Sequence, residues 1–176
     1  MPFTSERRPV AERLWQLYKH DMSEFVGSLP NEDGEFKQGR LPGYFDNTDA
    51  AGYFIIEDDH VVGFATVFHL QASVRAMGDF FVVRSARRRR VGEAAAAQLL
   101  SIYPGSWTIT FQTANTSAGR FWRRLATQVV GEAWSEESMP VPSRPDVPPD
   151  IWLRFNFPAN RVAQRRARRA TTRNDR

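Results

Sequence analysis

The residues best suited to chemistry lie in one continuous segment, Asp79 to Ala94, where an apolar run is followed by arginines, Gly92 and an alanine-rich stretch. This order predicts a strand that ends where a helix begins. The first N–H groups of a helix have no intrahelical acceptor and lie at the positive end of the helix dipole. Together with the arginine charges they would bind an anion such as a pyrophosphate.

Other chemistry in this chain has to come from carboxylates, hydroxyls and backbone groups. The sequence contains no cysteine, which excludes disulfides, thiolate metal sites and a thiol nucleophile. Its three histidines, His20, His60 and His69, are too scattered in sequence to suggest a zinc site. We therefore expect no bound metal.

The length and composition fit one packed domain. The chain has 176 residues, of which 41% are hydrophobic and 12% are aromatic. We place the domain at residues 1–158 and an Arg-rich tail, helical or disordered, at residues 159–176, because the tail has almost no apolar side chains to bury. No apolar run approaches the roughly 20 residues of a membrane span, and the N-terminus has no signal-peptide core. We expect a cytoplasmic protein without membrane contact.

The net charge of +4 hides an uneven distribution. Residues 21–59 hold ten of the twenty carboxylates, with Lys37 and Arg40 as the only lysine or arginine among them. Negative walls attract cations, so this segment favours a cationic ligand. The alternative is that these carboxylates are ordinary solvent-exposed surface residues that bind no ligand.

Hydrophobic periodicity predicts the elements that must position these groups. In chain order they are a helix at 9–25, a short helix within 27–47, a hairpin of strands 53–57 and 61–70, a strand at 77–83, a helix at 91–102, a strand at 107–112, a helix from about 117, and strands at 129–136 and 151–157. This order favours a mixed sheet with helices on both faces.

Two sequence patterns in this frame resemble those of the GNAT superfamily of acyl-CoA N-acyltransferases. One is that superfamily's phosphate loop, which is Arg or Gln, two residues, Gly, one residue, then Gly or Ala; Arg87, Arg90 and Gly92 take these positions. The other is the helix Asn-x-x-Ala-x-x-Phe-Tyr, which the chain matches with Asn115, Ala118, Phe121 and Trp122.

The resemblance implies an α/β (α+β) fold with a mostly antiparallel central sheet whose middle strands splay apart. It also implies acetyl-CoA as cofactor, with the pantetheine arm lying between the strand Phe80 to Arg84 and the strand Trp107 to Gln112. The residues implied for the cofactor are Phe81, Val82, Val83, Arg87, Arg88, Arg89, Arg90, Val91, Gly92, Glu93, Ala94, Asn115, Ala118 and Trp122.

The implied reaction is direct attack of a neutral amine on acetyl-CoA, without a covalent enzyme intermediate. A base must accept a proton from the amine, and a carboxylate acting through water could suffice. Asp79 is the first candidate, followed by Glu57 and His69.

The chain departs from the superfamily pattern at two positions. Arg90 stands where a glycine usually lets the backbone approach the phosphate closely. Trp122 stands where many members have a tyrosine that protonates the departing thiolate, and an indole N–H cannot usefully do so. The general acid is therefore unassigned.

In the superfamily the helices before the first hairpin cover the acceptor site. In this chain that region is the acidic segment, so the acceptor is expected to be a small cationic amine. The segment Trp15 to Phe25 resembles small bacterial members that include aminoglycoside-modifying enzymes of the kasugamycin type, which favours an aminoglycoside and antibiotic resistance. A polyamine or a protein or peptide amine is the alternative. The residues expected to bind the acceptor are Tyr18, Asp21, Glu24, Asp33, Glu35 and Tyr44.

Two non-enzymatic interpretations compete with this one. A domain that binds acyl-CoA without catalysis would explain Arg90 and Trp122. A nucleic-acid-binding protein would explain the pI near 9.9, the Arg87 to Arg90 run and the tail. Nucleic acid is disfavoured because the aromatic residues are spaced as core and the acidic segment would repel it. The sequence leaves the oligomeric state open, with a homodimer as one alternative.

Overall fold

A single mixed sheet forms the centre of the fold, with its six strands in the order β1-β2-β3-β4-β6-β5. The structure is a computed structural model that describes residues 1–141, 144 and 146–159. The tail expected at 159–176 therefore lies, beyond Ala159, outside the described residues. None of the helices in the described part of the chain is long and apolar enough to cross a membrane.

The helices and strands follow one another in the predicted order, which is thereby confirmed. The elements are α1 (Arg8–Val26), α2 (Gly43–Asp46), β1 (Ala50–Glu57), β2 (His60–Phe68), β3 (Val74–Val82), α3 (Val91–Ile102), β4 (Gly105–Gln112), α4 (Thr116–Val130), β5 (Trp134–Met139) and β6 (Asp150–Phe157).

The largest boundary error is the predicted strand at 129–136, because these residues do not form one strand. Val129 and Val130 are the last residues of α4, and β5 begins at Trp134 after Gly131 ends the helix with a φ of 67°. Val129 follows Leu125 by four residues, which places both on the buried face of the helix. Burial on this face therefore outweighs the preference of valine for strands.

The strand pairing is mostly antiparallel, as the resemblance implies. β1–β2, β2–β3, β4–β6 and β6–β5 pair antiparallel, whereas β3 and β4 pair parallel. Alternation along β2 sends Phe64 into the core under α1 and α2, and Ala65 and Val67 into the core under α3 and α4. Helices therefore cover both faces of the sheet.

The parallel strands β3 and β4 stay paired over only part of their length. Their register runs from Val74 opposite Ser106 to Met77 opposite Ile109, and beyond these residues the strands diverge. A bulge accompanies the divergence, because Ala65 pairs with Phe80 and Val67 with Met77. Two residues of β3 thus lie opposite one of β2, a geometry that bends the bulged strand. The predicted splay in the middle of the sheet is confirmed.

Candidate active site

A groove of about 1390 Å³ is bordered by α1, by the end of β3 that has diverged from β4, by the start of α3 and by α4. Many of the residues expected to hold a cofactor line it, namely Phe81, Val82, Arg87, Arg88, Arg90, Gly92, Glu93, Asn115, Ala118 and Trp122. The fold therefore brings together positions that are up to 41 residues apart in sequence.

The strand edge that faces the gap is set by the hydrogen bonds of β3. The N–H of Val83 donates to the carbonyl oxygen of Val62 at 2.8 Å, on the β2 side. Hydrogen-bonding groups alternate between the two sides of a strand, so the N–H and C=O of Val82 point toward β4. The Nε of Arg87 donates to the Val82 carbonyl at 2.7 Å. The Val83 amide is therefore already bonded within the sheet, and among the three expected strand residues Val82 is the one whose amide faces the gap; contacts of Phe81 and Val83 with a cofactor stay predictions.

The loop between β3 and α3, residues 83–90, is called here the arginine loop. Arg88 and Arg90 adopt left-handed backbone conformations, with φ values of 65° and 64°. A side chain makes this conformation costly, and glycine adopts it most easily. Arg90 thus keeps the backbone shape of a glycine position while it retains its charge.

Helix α3 presents free backbone donors at its start. Its first helical hydrogen bond runs from the N–H of Ala94 to the carbonyl of Arg90 at 2.9 Å. The N–H groups of Val91, Gly92 and Glu93 therefore have no acceptor within the helix. A Cβ added at Gly92 would lie 3.5 Å from Phe80 Cε1 and from Val82 Cγ2, so Gly92 lies at the wall of the groove. Val91 and Ala94 face a separate shallow pocket beside β1.

Asp21 of α1 ties two arginines of the arginine loop to the first helix. Its Oδ1 accepts from Arg84 Nε at 3.1 Å and Nη2 at 2.8 Å, and its Oδ2 accepts from Arg87 Nη2. Burial alone would raise the pKa of Asp21, but the bonds from Arg87 and Arg84 outweigh it and lower this pKa. Asp21 lines the groove, yet its charge is balanced by the protein itself.

Two of the three predicted proton acceptors lie away from the groove. Glu57 lies 3.4 Å from Arg89 Nη1 and borders the shallow pocket beside β1, so Arg89 is also held outside the groove. His69 lies in the turn after β2 with a positive φ, and its side chain is 63% exposed, 3.7 Å from Asp49. Their catalytic roles stay predictions.

Asp79 lies at the bulge of β3, where it forms what is called here the Asp79 cluster with Tyr18, Tyr44, Arg40 and Thr66. Its side chain is 3% exposed. Oδ1 accepts from the Tyr18 hydroxyl at 2.8 Å, and Oδ2 accepts from the Tyr44 hydroxyl at 2.6 Å and pairs with Arg40 Nε at 3.1 Å. Asp79 is therefore a buried carboxylate with several partners and not a solvated residue at a strand start.

The backbone of the bulge is fixed by the same cluster. The N–H of Asp79 donates to Thr66 Oγ1 at 2.6 Å, and this hydroxyl donates to the Asp79 carbonyl at 3.1 Å. Burial, and after it the charge of Asp79, raises the pKa of Tyr18 well above its usual value; the same causes raise the pKa of Tyr44. Both phenols therefore remain protonated and donate to the carboxylate.

The start of α4 is capped by Asn115, whose Oδ1 accepts from the Ala118 N–H at 3.0 Å and from the Ser117 hydroxyl at 2.9 Å. Trp122 is 5% exposed and packs edge-on against Phe80 and Phe121, with ring centroids 5.1 and 4.7 Å apart. Its indole supports the floor of the groove, at the position where many members of the resembled superfamily have a tyrosine.

Only some of the residues expected to bind an acceptor line the groove. Tyr18, Asp21 and Glu24 line the groove, but Tyr44 is buried at 4% exposure. Asp33 and Glu35 are exposed, and their N–H groups bond to the side chain of Asn31. The fold therefore brings only three of the six residues to the groove, and their binding of an acceptor stays a prediction.

Sequence reasoning missed several residues of the groove. Met22 and Phe25 continue the apolar side of α1 and line the groove, together with Arg84, Arg123 and Arg124. The helical spacing of Met22 and Phe25 could have indicated their position. Arg40 was also missed as a partner of Asp79, although it is one of two basic residues in the acidic segment.

Comparison with known proteins gives one family and many similar folds. A family model described as the acetyltransferase (GNAT) family matches residues 11–126. No curated protein matches the chain. An acetyltransferase of the GNAT family from Staphylococcus aureus Mu50 has a similar structure, with a TM-score of 0.60 and 14% identity over 89% of this chain and 97% of that chain.

Two further structures carry activities in their names. The ribosomal-protein-S18-alanine N-acetyltransferase from Escherichia coli is similar with a TM-score of 0.61 and 11% identity, over 90% of this chain and 92% of that chain. An aminoglycoside acetyltransferase in complex with coenzyme A has a TM-score of 0.64 and 12% identity, over 94% of this chain and 96% of that chain. At these identities the similarity establishes a common fold.

Proposed function

Because the chain belongs to the acetyltransferase (GNAT) family, we propose that it transfers an acetyl group from acetyl-CoA to a primary amine of a small cationic acceptor. The observation that carries this proposal is the groove that runs from the part of β3 that no longer pairs with β4, Phe80 to Val82, to the start of α3. It joins an unpaired strand edge to a set of free helix N–H groups, and the chain needs both to hold a long phosphorylated thioester.

The residues of the groove fit acetyl-CoA, the acyl donor of this family. Of the free N–H groups at the start of α3, those of Gly92 and Glu93, which line the groove, would bind the pyrophosphate, with Arg88 and Arg90 adding positive charge. The Val82 N–H, which faces the gap, would donate to the pantetheine arm or to the thioester carbonyl. When bound, acetyl-CoA supplies the acetyl group in activated form.

Asp79 is the proposed terminal proton acceptor for the amine. It lies on the same strand as Val82, at the bulge where β3 turns away from β4, and its partner Tyr18 lines the groove. Glu57 and His69 lie outside this groove, so their positions give them no path to an acceptor bound there. A positioned base of this kind contributes on the order of a hundred- to ten-thousandfold to the rate.

An aminoglycoside is the proposed acceptor class, and modification of the antibiotic would then confer resistance. Support comes from the similar fold of an aminoglycoside acetyltransferase and from Glu24 at the groove wall. The acidic segment supports it less than its composition suggests, since Asp21 is balanced by Arg84 and Arg87. A protein amine has its own support, because the similar structure from Escherichia coli is named as an N-acetyltransferase for the alanine of a ribosomal protein.

The proposal is tested by release of free thiol from acetyl-CoA in the presence of kasugamycin, kanamycin, spermidine or a peptide that begins with alanine. We expect acetylation of at least one aminoglycoside, verified by a mass increase of one acetyl group. Acetylation of spermidine or the peptide alone would replace the acceptor class. Acetyl-CoA binding without any thiol release would indicate a non-catalytic acyl-CoA-binding protein, and salt-sensitive RNA binding without acetyl-CoA binding would overturn the proposal.

A further inference from the structure

Tyr18 is the member of the Asp79 cluster that connects the buried carboxylate to the groove. Of the three described side chains that contact the Asp79 carboxylate, Tyr18 lines the groove, whereas Tyr44 and Arg40 do not. With Asp79 itself 3% exposed, an amine in the groove meets the cluster first at the Tyr18 side.

The Tyr18 hydroxyl is oriented for transfer in one direction. A phenol has one proton and two lone pairs on its oxygen. The Tyr18 proton is already directed at Asp79 Oδ1, 2.8 Å away, which leaves the lone pairs to accept from elsewhere. The ring is held by Trp15, Phe64 and Phe81, with centroid distances of 5.2, 5.6 and 6.2 Å, so the hydroxyl cannot easily turn away.

We propose that Tyr18 is a catalytic residue that relays a proton from the acceptor ammonium to Asp79, an inference that rests on the proposed function. The N–H bond of the ammonium breaks as a new O–H bond forms at Tyr18 Oη. The original Tyr18 O–H bond breaks as a new O–H bond forms at Asp79 Oδ1. The amine leaves this step neutral and nucleophilic, Tyr18 is again a neutral phenol, and Asp79 is a neutral carboxylic acid.

The groups around Tyr18 and Asp79 are consistent with a relay from the phenol to the carboxylate. The high pKa of Tyr18, caused first by burial and then by Asp79, keeps the phenol protonated, so it passes a proton on without existing as a phenolate. The charged and titratable groups that contact the carboxylate are Arg40, Tyr44 and Tyr18 itself. Arg40 and Tyr44 both contact Oδ2, which leaves Oδ1 to receive the proton from Tyr18.

Tyr18→Phe and Tyr44→Phe form a matched pair that tests the relay. Each variant removes one phenolic hydrogen bond from the same carboxylate and keeps the aromatic ring. We expect Tyr18→Phe to lower kcat/KM for the fastest acceptor of the panel roughly a hundredfold, and Tyr44→Phe, which loses a bond to the same carboxylate but no path for the proton, to lower it about tenfold less than Tyr18→Phe does. Melting temperatures and acetyl-CoA affinities of the two variants should stay close to each other, which separates a relay from a structural contribution.

A pH series adds a readout that a structural role would not move. At high pH the solvent deprotonates the amine, so the deficit of Tyr18→Phe should shrink as the pH approaches the pKa of the acceptor amine, while the Tyr44→Phe deficit stays constant. Equal losses in the two variants at every pH, with an active wild-type enzyme, would overturn the relay alone. A wild-type protein that releases no thiol with any acceptor would overturn the proposed function, and the relay with it.

Discussion

The arginine loop and the Asp79 cluster lie on the same strand, but they differ in whether their polar groups have partners within the protein. The arginine loop has left-handed residues at Arg88 and Arg90, both of which line the groove, and it leads to free N–H groups at the start of α3. The Asp79 cluster is buried, and its carboxylate is bonded to side chains from α1, from α2 and from the loop before α2.

This difference explains why a ligand can be predicted for the end of the groove at α3 but not for the end at the Asp79 cluster. Donors without an internal acceptor require an external one, so the start of α3, next to the arginine loop, predicts a phosphorylated ligand. Groups that satisfy one another predict a fixed geometry and leave the ligand open. The donor end can therefore be assigned from its own chemistry, whereas the acceptor has to be found by experiment.

The largest expected effect is on the arginine-loop side, at Gly92. Gly92→Trp would place an indole at a position where even an added Cβ would lie 3.5 Å from Phe80 and Val82, and it would fill the path of the cofactor. We expect acetyl-CoA affinity to fall roughly a hundredfold or more by calorimetry, with the circular dichroism spectrum unchanged. Gly92→Ala is the control and should bind within a few-fold of wild type. Undiminished binding by Gly92→Trp would move the pyrophosphate away from α3.

The second effect should be on stability and belongs to the Asp79 cluster. Asp79→Asn removes the charge opposite Arg40 and turns one acceptor oxygen into a donor that faces phenol hydroxyls. We expect the free energy of unfolding to drop by about 3 kcal/mol in urea titrations, as for other buried groups that lose their partner. A loss below about 1 kcal/mol would mean that the cluster does not fix α1 and α2 to the bulge, and the contrast between the two regions would fail.

The smallest effect should come from Asp21, whose partners Arg84 and Arg87 have exposed side-chain fractions of 71% and 42%. Asp21→Asn should cost on the order of 0.5 to 1 kcal/mol at pH 7, because solvent screens such pairs. The pKa of Asp21 is lowered by folding, so this contribution is present above the ordinary carboxyl pKa of about 4 and is lost as the pH falls through the lower folded value. Unfolding curves of both proteins from pH 7 to pH 2.5 measure it. A difference that grows in acid would contradict the assigned ion pair.

Much of the fold could be read from local sequence patterns. The order of helices and strands is correct because helical and strand periodicity are properties of short windows, and Pro104 and Gly105 mark the end of α3. The boundary between α4 and β5 is wrong because Val129 carries a strand preference that its burial on the helix overrides. That Arg87, Arg88, Arg90 and Gly92 line one groove was predictable for the same local reason, since they lie within six consecutive residues of the chain.

The acceptor end was less predictable because its contacts join distant parts of the chain. Asp79 was the first candidate for the base from its position before the splayed strand, but its burial and its bond to Arg40 have no sequence signature. Glu57 and His69 are the other two candidates from the sequence, and only the folded chain places them outside the groove. Val83 could not be separated from Val82 without the pairing of β3 with β2.

The sequence by itself determined the succession of elements, the position of the arginine loop before α3 and the family, because each depends on residues close together in the chain. The tertiary structure decided which carboxylates are free and which are already balanced. Tyr18 and Asp79 are 61 residues apart, and Tyr44 and Asp79 are 35 apart. Contacts of this kind depend on how α1 and α2 pack on the bulge of β3, and packing depends on the shape and burial of the whole core rather than on any local pattern.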